Sequence, residues 1–66
     1  MKITVNGEPR AIARARNVAE LIDELGLPAP AILVEHNDVA LRRDEWPTRP
    51  LVEGDRIELV RIVAGG

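Results

Sequence analysis

One helical stripe governs what this chain can become. Val18, Leu21, Ile22 and Leu25 recur at i, i+3, i+4 and i+7, the spacing of a single apolar face on a helix of two to three turns. No other stretch carries that period, so one helix must share its core with segments of another kind. Those segments read as strands. Met1, Ile3 and Val5 alternate with Lys2, Thr4 and Asn6, and Ala31–His36 and Arg56–Val63 alternate in the same way.

Local signals bound each element. Asn17 stands one residue ahead of the stripe, where its side chain caps the first free amides, and Glu20 three residues later completes the pattern of a capping box. Gly26 follows the last apolar position and suits the left-handed conformation that ends a helix. Leu27-Pro28-Ala29-Pro30 then forbids further helix and predicts a stiff crossover.

Asn6-Gly7 predicts a tight hairpin turn between the first strand and a return strand over Arg10–Arg14, with Pro9 confined to an edge or turn position. Asn37-Asp38 predicts a second turn, between Ala31–His36 and Val39–Leu41. Arg42–Pro50, with its charges, prolines and Trp46, predicts an irregular connection holding one turn of 3₁₀ helix around Asp44–Trp46, and Trp46 closes the open end of the core. Val52-Glu53-Gly54-Asp55 predicts the turn into the last strand.

The resulting order is ββαβββ, an α+β fold: a mixed sheet of four to five strands with one helix packed on one face. At 66 residues the chain has room for one core, and a domain of this size buries only about 60% of the surface its unfolded form exposes. We therefore expect a single domain over residues 1–63 and a flexible tail over residues 64–66.

Composition then removes whole classes of activity. Nine basic against eleven acidic residues give a formal charge of -2, the wrong sign for a phosphate-neutralising surface, so no nucleic acid is expected. The apolar runs are short and Met1 opens directly on a strand pattern, which predicts no membrane partner and a cytoplasmic location. Cysteine and serine are both missing, which excludes thiolate nucleophiles, thiolate metal sites and a serine-based triad. His36 is the sole histidine and shares parity with Ile32 and Val34, as a structural histidine would. Asp23-Glu24 and Asp44-Glu45 read as solvated surface charge, and no metal or catalytic constellation emerges.

Two features remain without a structural role. The sequence closes on Ala64-Gly65-Gly66, and Gly65 and Gly66 serve no turn or cap. By strand alternation, Leu33, Val60 and Ile62 point away from the helix, so they form an apolar patch on the helix-free face if the third and last strands are neighbours. A patch of that kind beside a tail marks a place where a partner docks.

The opening Met1–Gly7, the helix Val18–Leu27, the basic-x-acidic-aromatic step Arg43-Asp44-Glu45-Trp46, and Leu51–Val60 running on to Gly66 together span most of the chain. In this combination the sequence resembles the ubiquitin-like β-grasp fold and, within it, the ThiS family of sulfur carriers of thiamin biosynthesis. It departs from the family pattern at Asn37-Asp38, where Asn-Gly is usual, and at Ala64, where a third glycine is frequent.

The resemblance implies a carrier and no enzyme. An E1-like, ThiF-like adenylyltransferase would activate the Gly66 carboxylate with ATP. Sulfur from a cysteine desulfurase would convert it to a thiocarboxylate, and a ThiG-like thiazole synthase would receive that sulfur. Ala64, Gly65 and Gly66 would thread into the partner, and Leu33, Val60 and Ile62 would hold the body against it. The chain would need no cofactor of its own. A MoaD-like carrier serving another pathway and a ubiquitin-like protein modifier share the same tail and stay open at this point.

Overall fold

The computed structural model describes residues 1–63. Among them are five strands and one α-helix: β1 (Lys2–Val5), β2 (Glu8–Ala11), α1 (Val18–Glu24), β3 (Ile32–His36), β4 (Val39–Leu41) and β5 (Arg56–Arg61). Two 3₁₀ segments, Ala29–Ala31 and Arg43–Thr48, lie in the connections. The five strands make one mixed sheet in the order β2-β1-β5-β3-β4. β5 runs parallel to β1 and antiparallel to β3, so the last strand fills the centre.

The first hairpin turns on two residues with positive φ, Asn6 at 51° and Gly7 at 81°, the left-handed pair that matches the twist of the flanking strands. A two-residue turn sends the chain straight back, which corrects the expected return strand. It occupies Glu8–Ala11, in register with Val5–Lys2, in place of Arg10–Arg14. The Ile12 amide still donates to Met1 O at 2.7 Å, and beyond it the backbone turns away, where the Glu24 carboxylate accepts the amides of Ala13, Arg14 and Ala15 at 2.8, 2.9 and 2.7 Å. β2 is an edge strand, where the missing amide of Pro9 costs no ladder bond.

The helix begins and ends on side-chain and backbone caps. Asn17 Oδ1 accepts the Glu20 amide at 2.8 Å. The capping box closes one residue further back than expected, with Glu20 Oε1 accepting the Arg16 amide. At the other end Gly26, at φ 69°, lets its own amide reach Asp23 O and the Leu27 amide reach Ile22 O. This is the paired closure of a Schellman motif.

Val18, Leu21 and Ile22 are fully buried against the sheet, each contributing roughly 1.5–3 kcal/mol of apolar burial. Leu25 is only half-buried, at the rim. The sheet supplies Ile3, Val5, Ile32, Val34 and Ile57 from the same face. Trp46 closes the end of this layer at 4% exposure, and Arg43 lies over its ring at 5.8 Å. Thus the 3₁₀ turn expected at Asp44–Trp46 is present and runs slightly longer on both sides.

β5 ends at Arg61, two residues earlier than the alternation predicts. The ladder nonetheless reaches one step further, because the Ile62 amide donates to Ala31 O at 2.7 Å.

Candidate functional site

The alternation along β5 divides its side chains between two environments. Ile57 is buried and Leu59 half-buried on the helix side, while Glu58 and Val60 are exposed on the other. On β3, Ile32, Val34 and His36 are buried while Leu33 and Glu35 are exposed. The antiparallel register sets Leu33 directly opposite Val60 and Glu35 opposite Glu58. The structure therefore joins Leu33 and Val60, 54% and 57% exposed, on the helix-free face.

A shallow cleft of about 180 Å³ runs between them, with Ala40 and Leu41 of β4 along its far side. Ile62 is half exposed and lies two positions beyond Val60, past the walls of that cleft. Val60 and Ile62 thus follow the course of β5 toward Val63, with Leu33 beside Val60 on β3. Ala64, Gly65 and Gly66, the proposed delivery segment, lie outside the described residues.

A second constellation sits at the opposite end of β5. His36 Nε2–H donates to Asp55 Oδ2 at 2.8 Å, and His36 Nδ1 accepts from Arg49 Nε at 3.0 Å. Asp55 also accepts from the Val52 amide and the Asn37 side-chain amide. Burial pushes the Asp55 carboxyl upward, but the bonds from His36, Val52 and Asn37 outweigh it and hold the group below its ordinary range.

Every polar atom of the His36 ring is engaged and both partners are protein groups. The arrangement locks the β3–β4 turn to the start of β5, a purpose reinforced by Asn37 Oδ1 accepting the Arg56 amide at 2.8 Å. Its chemistry is structural, as the parity of His36 suggested.

Sequence reasoning missed Asp55 and Arg49 as members of that network, and Glu24 as a cap. Asp55 follows a glycine turn directly, the setting in which a carboxylate bonds backbone two or three residues away, so a local signal existed. Glu24 had none: its three amides lie 9 to 11 residues upstream. Those amide bonds hold its carboxyl below the ordinary range.

Among the described residues, no group of three or more histidine, cysteine or acidic side chains is placed to hold a metal ion. No described helix is long and apolar enough to cross a membrane.

Comparison with known proteins bears on the whole chain. The family model described as "ThiS family" matches residues 3–66. The sulfur carrier protein ThiS of Thermus thermophilus is 34% identical over 64 residues, covering 97% of this chain and 98% of that protein. A thiazole synthase of Paramagnetospirillum magneticum is 30% identical over all 66 residues, which span only 20% of its length. The crystal structure of the thiamine biosynthesis protein ThiS from Geobacter metallireducens superposes with a TM-score of 0.85 at 33% identity, covering both chains completely. The five-stranded mixed sheet with its single helix is accordingly the ubiquitin-like β-grasp fold, and the chain belongs to the ThiS family.

Proposed function

We propose that this chain performs the task its family membership indicates, carrying sulfur for thiamine biosynthesis, through a thiocarboxylate on Gly66. The observation that carries the reading is the family match itself, which runs through the body and on to Gly66. A carboxylate is anionic and a poor electrophile, so activation must come first. A carboxylate oxygen attacks the α-phosphorus of ATP and pyrophosphate leaves, giving an acyl adenylate. The terminal sulfur of a persulfide on the donor then attacks the acyl carbon and AMP leaves; a thiol cleaves the resulting acyl disulfide, which frees the thiocarboxylate and leaves a disulfide on the donor.

The catalytic groups belong to partners in this account: a ThiF-like adenylyltransferase, a sulfur donor fed by a cysteine desulfurase, and a ThiG-like thiazole synthase. ATP is the activating partner's substrate, and the carrier contributes a deliverable end. Three residues beyond Val63 reach roughly 10 Å, far enough to enter an active site while the folded body stays outside. Glycine at the last two positions keeps that entry narrow, since it has no Cβ.

The synthase as recipient is supported by the thiazole synthase relative, in which a stretch similar to this entire chain makes up a fifth of the protein. Leu33, Val60 and Ile62 serve in this reading as the surface that partners grip. To test it, the protein is purified from its native background and the mass of its C-terminal peptide measured. One oxygen replaced by sulfur at Gly66 supports the reading, and sulfur found at another position would refute it.

A further inference from the structure

The arginines of this chain are not equivalent. Arg42 pairs with Asp44 at 3.1 Å and Arg56 with Asp38 at 2.6 Å. Arg49 bonds His36, and Arg43 lies over Trp46 in a cleft that also holds Asp23. Arg14 and Arg16 share their cleft with Glu20, Asp23 and Glu24. Arg10 and Arg61 are different: both are exposed, neither has a carboxylate within ion-pair distance among the described residues, and the groove they share contains no acidic residue.

That groove, of about 280 Å³, lies on the helix side of the sheet beyond the end of α1. Leu25, Leu27, Ile32 and Leu59 form its floor, and three of these four are only partly buried. Two guanidinium groups therefore border an apolar trough in a protein whose formal charge is -2. Both guanidinium groups are exposed, so they stay hydrated beside the trough and are free to meet an incoming carboxylate.

Arg61 is the last residue of β5, two before Val63, so the groove touches the strand that leads to the tail. Its opposite face carries Leu33 and Val60. Any protein that takes the tail must approach this end of β5, and the groove is continuous with that approach.

We propose that the groove is a second docking surface, taking a segment of the tail-receiving adenylyltransferase in which one aliphatic side chain is flanked by Asp or Glu. The aliphatic group fills the trough and the carboxylates meet Arg10 and Arg61, in the planar two-point geometry that guanidinium favours. The partner then grips β5 from both faces, and the charges steer the encounter. The inference rests on the proposed function for the identity of the partner, but its test reads association and not sulfur transfer.

The experiment measures binding of the full chain to the ThiF-type adenylyltransferase of the same organism by titration calorimetry, at low and at physiological salt. Arg10→Glu/Arg61→Glu is expected to weaken binding by about tenfold or more at low salt. The native affinity falls as salt rises and the variant's does not. Arg10→Lys/Arg61→Lys retains most of the affinity, and Arg14→Glu/Arg16→Glu, an equal change of charge on another face, leaves it close to native. All four positions are exposed, and a retained cooperative urea transition, with the Trp46 signal native before it, verifies that each variant is folded under the binding conditions.

Equal affinity of native chain and Arg10/Arg61 variant overturns the groove. So does equal loss in the Arg14/Arg16 variant, which would show a response to net charge alone, and so does a native chain that fails to bind. If the native chain binds and the reversal weakens it while Gly66 is never modified, the groove stands and the carrier reading falls.

Discussion

Replacing Asp55 with alanine removes one carboxylate and strands three donors: His36 Nε2–H, the Val52 amide and the Asn37 side-chain amide. The three do not weigh equally. His36 is only 6% exposed, so its ring N–H is left without water, at a cost of about 1–3 kcal/mol. The Val52 and Asn37 donors lie nearer the surface and recover hydration, leaving about 0.5–1 kcal/mol each. Arg49 still donates to His36 Nδ1, so the ring cannot turn to use its free N–H without losing that bond.

The sum is about 3 kcal/mol. A domain of this length has roughly 3–10 kcal/mol in total, so the loss is a large share of it. Trp46, the chain's only aromatic residue and 4% exposed, reports unfolding by its fluorescence in urea. With a slope near 1 kcal/mol/M, usual for small domains, the midpoint drops by about 3 M and the slope stays constant. Asp55→Asn keeps one acceptor oxygen and falls between the two, so the series remains measurable if alanine is too severe. A loss below about 1 kcal/mol for Asp55→Ala would refute the assignment of the network as the lock between the β3–β4 turn and β5.

Further outcomes follow from the same geometry. Asp55 and Glu24 both titrate below their ordinary range when folded, so their stabilisation is complete above the unfolded carboxylate values near 4 and is lost as pH falls through the lower folded values; urea midpoints measured across this acid range should decline, and in Asp55→Asn the decline should be shallower. Glu24→Gln should lower the midpoint more than Glu20→Gln, since Glu24 holds three amides and Glu20 one. Val60→Glu should fold with a native-like midpoint, because Val60 is exposed, yet raise the carrier concentration needed for half-maximal adenylation by about tenfold; unchanged kinetics would remove the helix-free patch from the account. Glu58→Gln should raise stability by roughly 0.5 kcal/mol in low-salt urea titrations, by relieving the Glu35–Glu58 opposition across the strands.

What the sequence revealed was governed by how local the cause was. The Asn17 cap, the Gly26 closure and the two tight turns each arise within four residues, and all four are present in the structure. The start of β2 follows from the two-residue turn at Asn6-Gly7, but its end was not legible, because the segment beyond it is held by Glu24, reaching back from the far end of α1. The strand order was legible only in part. Alternation gave the faces of β3 and β5, but the insertion of β5 between β1 and β3 depends on tertiary packing.

The candidate surface follows the same division. Parity alone put Leu33, Val60 and Ile62 on the helix-free side, and the register then placed Leu33 against Val60. The groove bordered by Arg10 and Arg61 joins β2, the end of α1 and β5. Residues that distant in sequence share no period, so only the folded chain brings them together.

The most direct test of the account is a reconstituted sulfur transfer read at the C-terminal peptide. The chain is incubated with its adenylyltransferase, ATP and a desulfurase-derived sulfur donor, beside a control lacking Gly65 and Gly66, and both are resolved by mass spectrometry. One oxygen-to-sulfur exchange confined to Gly66 is expected in the full chain and none in the control. An unmodified Gly66 after complete incubation with active partners, or sulfur carried equally by the truncated control, would contradict it.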